Sequence, residues 1–154
     1  MTDKYEFVPG DEITIAPGRT VKRIRALVAI ADFGVAAGDV GGYIEKVENL
    51  AVYGNAWVSG DAWVYGDARV YGNAWVSGDA QVSGNAQIVW FSKVGRDNGT
   101  LTVFKDKDGQ LLATRGRFIG TIDAFLSKSE TEHDDKTHLE YRLLIEVAYS
   151  RLTK

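Results

Sequence analysis

The sequence predicts a mainly β fold in which a short coil of strands is preceded by irregular strands and closed by a C-terminal α+β cap. Three observations predict it. Six consecutive six-residue units run from Val52 to Gln87, each reading Val, then Tyr or Ser, then Gly, then Asn or Asp, then Ala, then a large or polar residue. Short β-type runs punctuated by Pro-Gly pairs come before the units, and a hairpin signal followed by helical periodicity comes after them.

Within a unit Val and Ala sit four apart, so an extended chain puts both on one face, while the Tyr/Ser and Trp/Arg/Gln positions fall on the other. Gly followed by Asn or Asp supplies a bend between them, because these residues tolerate positive φ. A bend every six residues, with the aliphatic side always inward, winds the chain into a coil. The pattern resembles the hexapeptide repeat of the left-handed parallel β-helix, in which three six-residue sides make one triangular turn. That resemblance implies a turn of 18 residues, and the sequence carries the same period. Residues 52–57 and 70–75 are identical, and 58–63 and 76–81 differ only at the last position. The third pair diverges, ending in Arg69 and Gln87.

Residues 1–43 read as N-terminal strands and a lead-in loop, 44–95 as the left-handed β-helix, and 96–154 as the hairpin and helical cap. Tyr5–Val8 and Glu12–Ile15 read as two short strands separated by Pro9-Gly10 and followed by Pro17-Gly18, with a third strand over Val21–Ile30. Lys22, Arg23 and Arg25 read as solvated charges that protect an edge strand. Glycines at 34, 38, 41 and 42 mark the loop, and Ile44–Ala51 is an irregular first rung because Lys46 stands where Val is expected.

Beyond the units, Ile88 and Val94 keep the phase, but Trp90 replaces the bend glycine, so the coil closes there. Thr100–Phe104 and Gln110–Thr114, joined through Asp106–Gly109, form a hairpin suited to covering the last rung. Thr121 is the predicted N-cap of a short helix over Ile122–Lys128. The polar run Ser129–Thr137 reads as a linker, and Leu139, Leu143, Leu144, Val147, Ala148 and Leu152 give the apolar face of a last helix over His138–Thr153.

Composition narrows the function. The 154-residue chain is 45% hydrophobic and 25% charged, ordinary values for one soluble domain. A net charge of -3 argues against a field that attracts bulk nucleic acid. The chain has no cysteine, which removes disulfides and thiolate chemistry. The N-terminus lacks a basic, apolar leader and no run is long enough to cross a membrane, so the expected location is the cytoplasm.

Gly41–Glu45, the Gly-Asn/Asp-Ala units, Trp90–Gly95, Asn98–Phe104 and the closing Tyr141-Arg-Leu-Leu-Ile-Glu146 helix together resemble small bacteriophage and prophage proteins with hexapeptide-like repeats. The resemblance spans residue 20 to the end and implies a viral origin, with the host cell cytoplasm as the location, and a compact β-helix with an α+β cap. Many phage proteins of this size counter host immunity, which makes a nucleotide-type immune signal or a host defence protein the expected partner. The outward aromatics of the coil and its shortness, which buries little on its own, predict a homo-oligomer, and resemblance to other hexapeptide coils favours a trimer.

The candidate site residues are outward aromatics and cations. Tyr53, Trp57, Tyr71 and Trp75 are expected to stack on neighbouring rungs, with Trp63 and Trp90 beside them, as a subunit seam or a platform for a base. Arg69, Lys93, Arg96, Arg115 and Arg117 are the candidate phosphate partners. Hexapeptide-repeat acyltransferases use a catalytic histidine beside the coil, whereas no histidine precedes His133 here. His133 and His138 lie in an acidic stretch, and two histidines do not make a three-histidine zinc site. The expectation is therefore a non-enzymatic oligomeric sponge for a small anionic, nucleotide-like ligand, with no catalytic residues, metal or cofactor. The alternatives are a hexapeptide-type acyl or nucleotidyl transferase and a direct inhibitor of a host protein.

Overall fold

The computed structural model describes residues 4–153, so Met1–Asp3 and Lys154 of the predicted terminal segments lie outside the described residues. The chain is mainly β with two C-terminal helices. An antiparallel pair, β1 (Tyr5–Ala16) and β2 (Arg19–Ala26), leads into β3 (Val40–Ile44). Four two-residue strands follow: β4 (Trp57–Val58), β5 (Trp63–Val64), β6 (Trp75–Val76) and β7 (Gln81–Val82). The C-terminal part holds β8 (Ile88–Val94), β9 (Gly99–Lys105), β10 (Leu111–Arg115) and β11 (Phe118–Thr121), then α1 (Ile122–Glu132) and α2 (Asp135–Leu152).

The units pair in parallel with the expected period: Trp57 faces Trp75, and Trp63 faces Gln81, each 18 residues on. Val58, Val64, Val70, Val76 and Val82, together with Ala56, Ala62, Ala68, Ala74 and Ala80, are buried in one core. The bends stack as well, since a side chain on Gly60 (φ 66°) would meet the Gly78 nitrogen at 2.9 Å. The strands do not close into an uninterrupted solenoid. They belong to separate sheets, a five-stranded one in the order β1-β2-β3-β5-β7, a two-stranded β4-β6, and a four-stranded antiparallel β11-β10-β9-β8.

The first rung departs from the repeat. Leu50, not Val52, takes the buried place opposite Val70, so this pairing spans 20 residues and Val52-Tyr53 bulge outward as two extra residues. The phase is recovered at once, with the Asn55 N–H donating to the Gly72 carbonyl at 3.0 Å. Asn49, fully buried, holds the irregular stretch together. Its Oδ1 accepts from the Glu45 and Lys46 N–H groups at 3.1 and 2.9 Å, and its Nδ2 donates to the Gly66 and Ala68 carbonyls at 3.2 and 2.9 Å.

Both ends of the coil are covered. At the first rung the Tyr5 hydroxyl donates to the Leu50 carbonyl at 3.0 Å and the Lys4 ammonium to that of Ala51 at 3.1 Å. At the last rung Thr102 Oγ1 accepts from the Trp75 N–H at 3.2 Å and Thr114 Oγ1 donates to its carbonyl at 2.6 Å. The Lys107 N–H satisfies the Asp79 carbonyl at 2.9 Å. These side-chain and turn contacts replace the hydrogen bonds that an open edge would offer to another chain.

Several expectations change for physical reasons. Pro9-Gly10 does not reverse the chain. Gly10 (φ 80°) sits in a register irregularity between Phe7 and Glu12, and β1 continues through it as one strand. The predicted third strand ends at Ala26, because the next residues turn toward a bridge between Ile30 and Val35. Ile88–Val94 leaves the coil and runs antiparallel to β9. The predicted linker is mostly helical, since α1 extends to Glu132 and Asp134 caps α2 through the Thr137 N–H at 2.9 Å. Arg23 is not a solvated edge charge. It donates to Asp11, the Gly41 carbonyl and the Tyr43 hydroxyl at 3.1, 2.8 and 2.7 Å, tying β1, β2 and β3 together.

A second tie has a pH consequence. Glu45 accepts from Arg19 at 3.0 and 2.8 Å and from the Gly66 N–H at 2.9 Å. The Arg19 hydrogen bonds first, and the Gly66 N–H second, hold its carboxyl down at about 2. A carboxylate depressed by folding stabilises the native state above its ordinary value, 4.5 here, and that contribution is lost as pH falls toward about 2. Denaturation midpoints measured across this range should fall less steeply for Glu45→Gln than for the wild type. Parallel curves would exclude the role.

Candidate functional site

The two-residue bulge builds a cleft. Leu50–Tyr53 and Arg69–Tyr71 lie on successive rungs, joined by the Ala51 N–H to the Val70 carbonyl at 2.9 Å. Tyr5–Phe7 of β1 and Leu27 overhang this ledge, and Val47 and Glu48 close one end, enclosing about 790 Å³. Without the insertion Tyr53 would follow an inward residue on the regular path. With it, Tyr53 stands 86% exposed at the rim, and Tyr71 is 55% exposed. Tyr71 and Trp90 pack in a T-shaped arrangement, ring centroids 4.6 Å apart at 83°, which orients the Tyr71 ring.

Apolar side chains and aromatic rings dominate the lining, with Arg69, Glu6 and Glu48 as its charged members. Glu6 is engaged by Arg25 at 2.5 Å, leaving Arg69 as the cation of the cleft. The Tyr5 phenol is pushed up to about 12 by burial and by Glu48. Burial brings Lys4, beside the cleft, down to about 8. Among the described residues, the lining contains no Ser, Thr, Cys or His. The arrangement suits a flat ring carrying an anionic group: tyrosine faces for the ring and one guanidinium for the charge.

The structure brings together Tyr53, Arg69 and Tyr71, with Trp90 behind Tyr71, and separates the other predicted residues. Trp57 and Trp75 are 1% and 8% exposed, so they are core and not a platform or seam. Their outward face is covered. Trp57 packs edge-on to Tyr5 at 6.4 Å, while Phe33 stacks on Trp75 at 5.0 Å and the Trp75 indole donates to Ser59 at 2.9 Å. Sequence periodicity identified which side of the strand they occupy but carried no sign that another segment lies over it.

The remaining predicted cations do not line this cleft. Arg115 pairs with Asp97, which holds that carboxyl below the usual range, and donates to the Val94 carbonyl at 3.4 Å. Arg96 donates to the Glu132 carbonyl at 3.3 Å beside His133, and Arg117 to that of Ala31 at 3.2 Å. Lys93 (φ 61°) is exposed at an irregularity in β8. Around Arg115, the rings of Phe118, Phe125 and Tyr141 with Ser129 and His133 line a second, smaller cavity of about 130 Å³. Among the described residues no three His, Cys, Asp or Glu side chains gather where they could hold a metal ion. No helix there is long and apolar enough to cross a membrane.

Residues missed by the sequence reading are Tyr5, Phe7, Leu27 and Glu48, which come from segments folded over the first rung. Only the failure of the repeat at Lys46 pointed to irregular structure there.

Comparison with known proteins supports the class. Residues 52–66 and 62–78 match the model of the YdcK beta solenoid repeat, so the central stretch of the chain carries a β-solenoid repeat. No curated protein and no solved structure matches the chain.

Proposed function

We propose that the protein is a non-enzymatic binding protein that sequesters a small ring-bearing anion in the cleft of Tyr53, Arg69 and Tyr71. The observation that carries this reading is their convergence on one largely apolar cleft of about 790 Å³. Stacking contributes about 1–3 kcal/mol per base, and a hydrogen bond to a charged group about 1.5–3 kcal/mol. Arg69 as the one cation among the described lining residues favours a ligand of low charge, such as a nucleoside monophosphate or the singly charged cyclic mononucleotide, over a polyphosphate. The lining residues, among those described, include no serine, threonine, cysteine or histidine, and this favours binding over group transfer.

The proposed biological role, in keeping with the likeness to small phage proteins, is withdrawal of a nucleotide-type immune signal in the host cytoplasm. The solenoid is proposed to be a left-handed hexapeptide coil, in keeping with the bend every six residues and the 18-residue register. A thermal-shift screen of mononucleotides and cyclic nucleotides tests the function, followed by recovery of the bound compound after heat denaturation. The expected result is stabilisation by at least one compound, recovered unchanged. Recovery of a cleaved or transferred product would make the protein an enzyme, and no stabilisation by any nucleotide would leave a protein partner as the ligand.

A further inference from the structure

Helix α2 is apolar on two opposite faces. Tyr141, Ile145, Ala148 and Leu152 are buried against α1 and the C-terminal sheet. Leu139, Leu143 and Val147 lie on the opposite face and are 49%, 52% and 45% exposed. At about 100° per residue, Leu143 points roughly 180° away from the centre of the buried face. A solvent-facing helix surface is ordinarily polar. Three aliphatic residues at i, i+4 and i+8 instead form one continuous ridge, the row by which helices pack on one another.

We infer that this ridge is the seam of a homodimer in which two α2 helices cross antiparallel about a two-fold axis at Leu143. The ridge is self-complementary under that operation: Leu143 meets its own copy, and Leu139 meets Val147 of the partner on both sides. Charge agrees with it. Arg142 and Glu146 border the same edge of the ridge, both exposed and in no ion pair among the described residues. The two-fold axis sets each Glu146 beside the partner's Arg142, and antiparallel helices oppose their macrodipoles. Ridges of this kind cross at about -50°, so the contact centres on Leu143.

This seam differs from the trimer expected from resemblance and from a seam on the coil aromatics. Light scattering coupled to size exclusion should return twice the 16.9 kDa chain mass for the wild type. Leu143→Glu should return the single-chain mass with an unchanged circular dichroism spectrum, and Tyr53→Glu on the coil should remain dimeric. Because the chain has no cysteine, single substitutions read the geometry directly. L143C should form an interchain disulfide readily, L139C and V147C each poorly alone, and the L139C/V147C double variant well. A single-chain or trimeric mass for the wild type, or equal cross-linking of L139C, L143C and V147C alone, would overturn the inference.

Discussion

Trp57→Ala should destabilise the fold by about 3–5 kcal/mol, the cost of deleting a large aromatic side chain from a packed interior. A domain of this kind has about 5–15 kcal/mol in total, so the variant should unfold at much lower urea or be largely unfolded in buffer. Trp57 is 1% exposed, between Tyr5 and the strand that carries Gly41. A side chain on Gly41 would meet the Trp57 ring at 2.8 Å, so β3 passes directly over the indole. Tyr53→Ala, four residues earlier in the same unit, removes a side chain that is 86% exposed and should change stability by no more than about 0.5 kcal/mol. Equal urea midpoints for the two variants would contradict the burial of Trp57.

Gly60→Ala should cost about 2–5 kcal/mol. Two terms add. The left-handed conformation at φ 66° disfavours an L side chain by about 1–2 kcal/mol, and the new Cβ would lie 2.9 Å from the Gly78 nitrogen, where overpacking costs about 1–3 kcal/mol. The obstacle is backbone one rung away, which cannot rotate aside as a side chain would. Gly84→Ala, at the same place in the last unit, is the internal control. Its φ is -168° and nothing lies within 4 Å, so the substitution should be neutral or slightly stabilising. Denaturation midpoints for both variants check the prediction, and comparable losses would mean that rung stacking is not what requires glycine.

The Val/Ala alternation and the Gly-Asn/Asp bends made the buried face, the 18-residue register and the hairpin legible, because these features are local and recur. Thr121 was legible as a helix cap for the same reason, and its Oγ1 accepts from the Ala124 N–H at 3.1 Å. What the sequence did not disclose depends on long-range packing. Tyr5 and Phe33 lie far from Trp57 and Trp75 in the chain, and nothing in the repeat says that they cover those rings. Val52 looks identical to Val70, yet Leu50 outcompetes it for the core once β3 and Asn49 fix the rung above. In α2 the two apolar faces blurred into one list, because helical periodicity alone does not say which face meets the sheet. The same blurring separated the candidate site. Tyr53, Arg69 and Tyr71 were recognisable as outward coil residues, but the overhanging walls came from segments with no repeat to place them.

The most direct test of the proposed function is equilibrium binding of the mononucleotide that gives the largest thermal shift, compared across wild type, Tyr71→Ala and Arg69→Ala. Tyr71 and Arg69 are both exposed, so their removal should leave the fold intact. The proposal predicts saturable binding to the wild type, weakened roughly tenfold to hundredfold in each variant, as loss of about 1.5–3 kcal/mol requires. Trp90 emission should report the same event through its contact with Tyr71. Wild-type affinity retained in both variants would place the ligand elsewhere and contradict the assignment of the cleft.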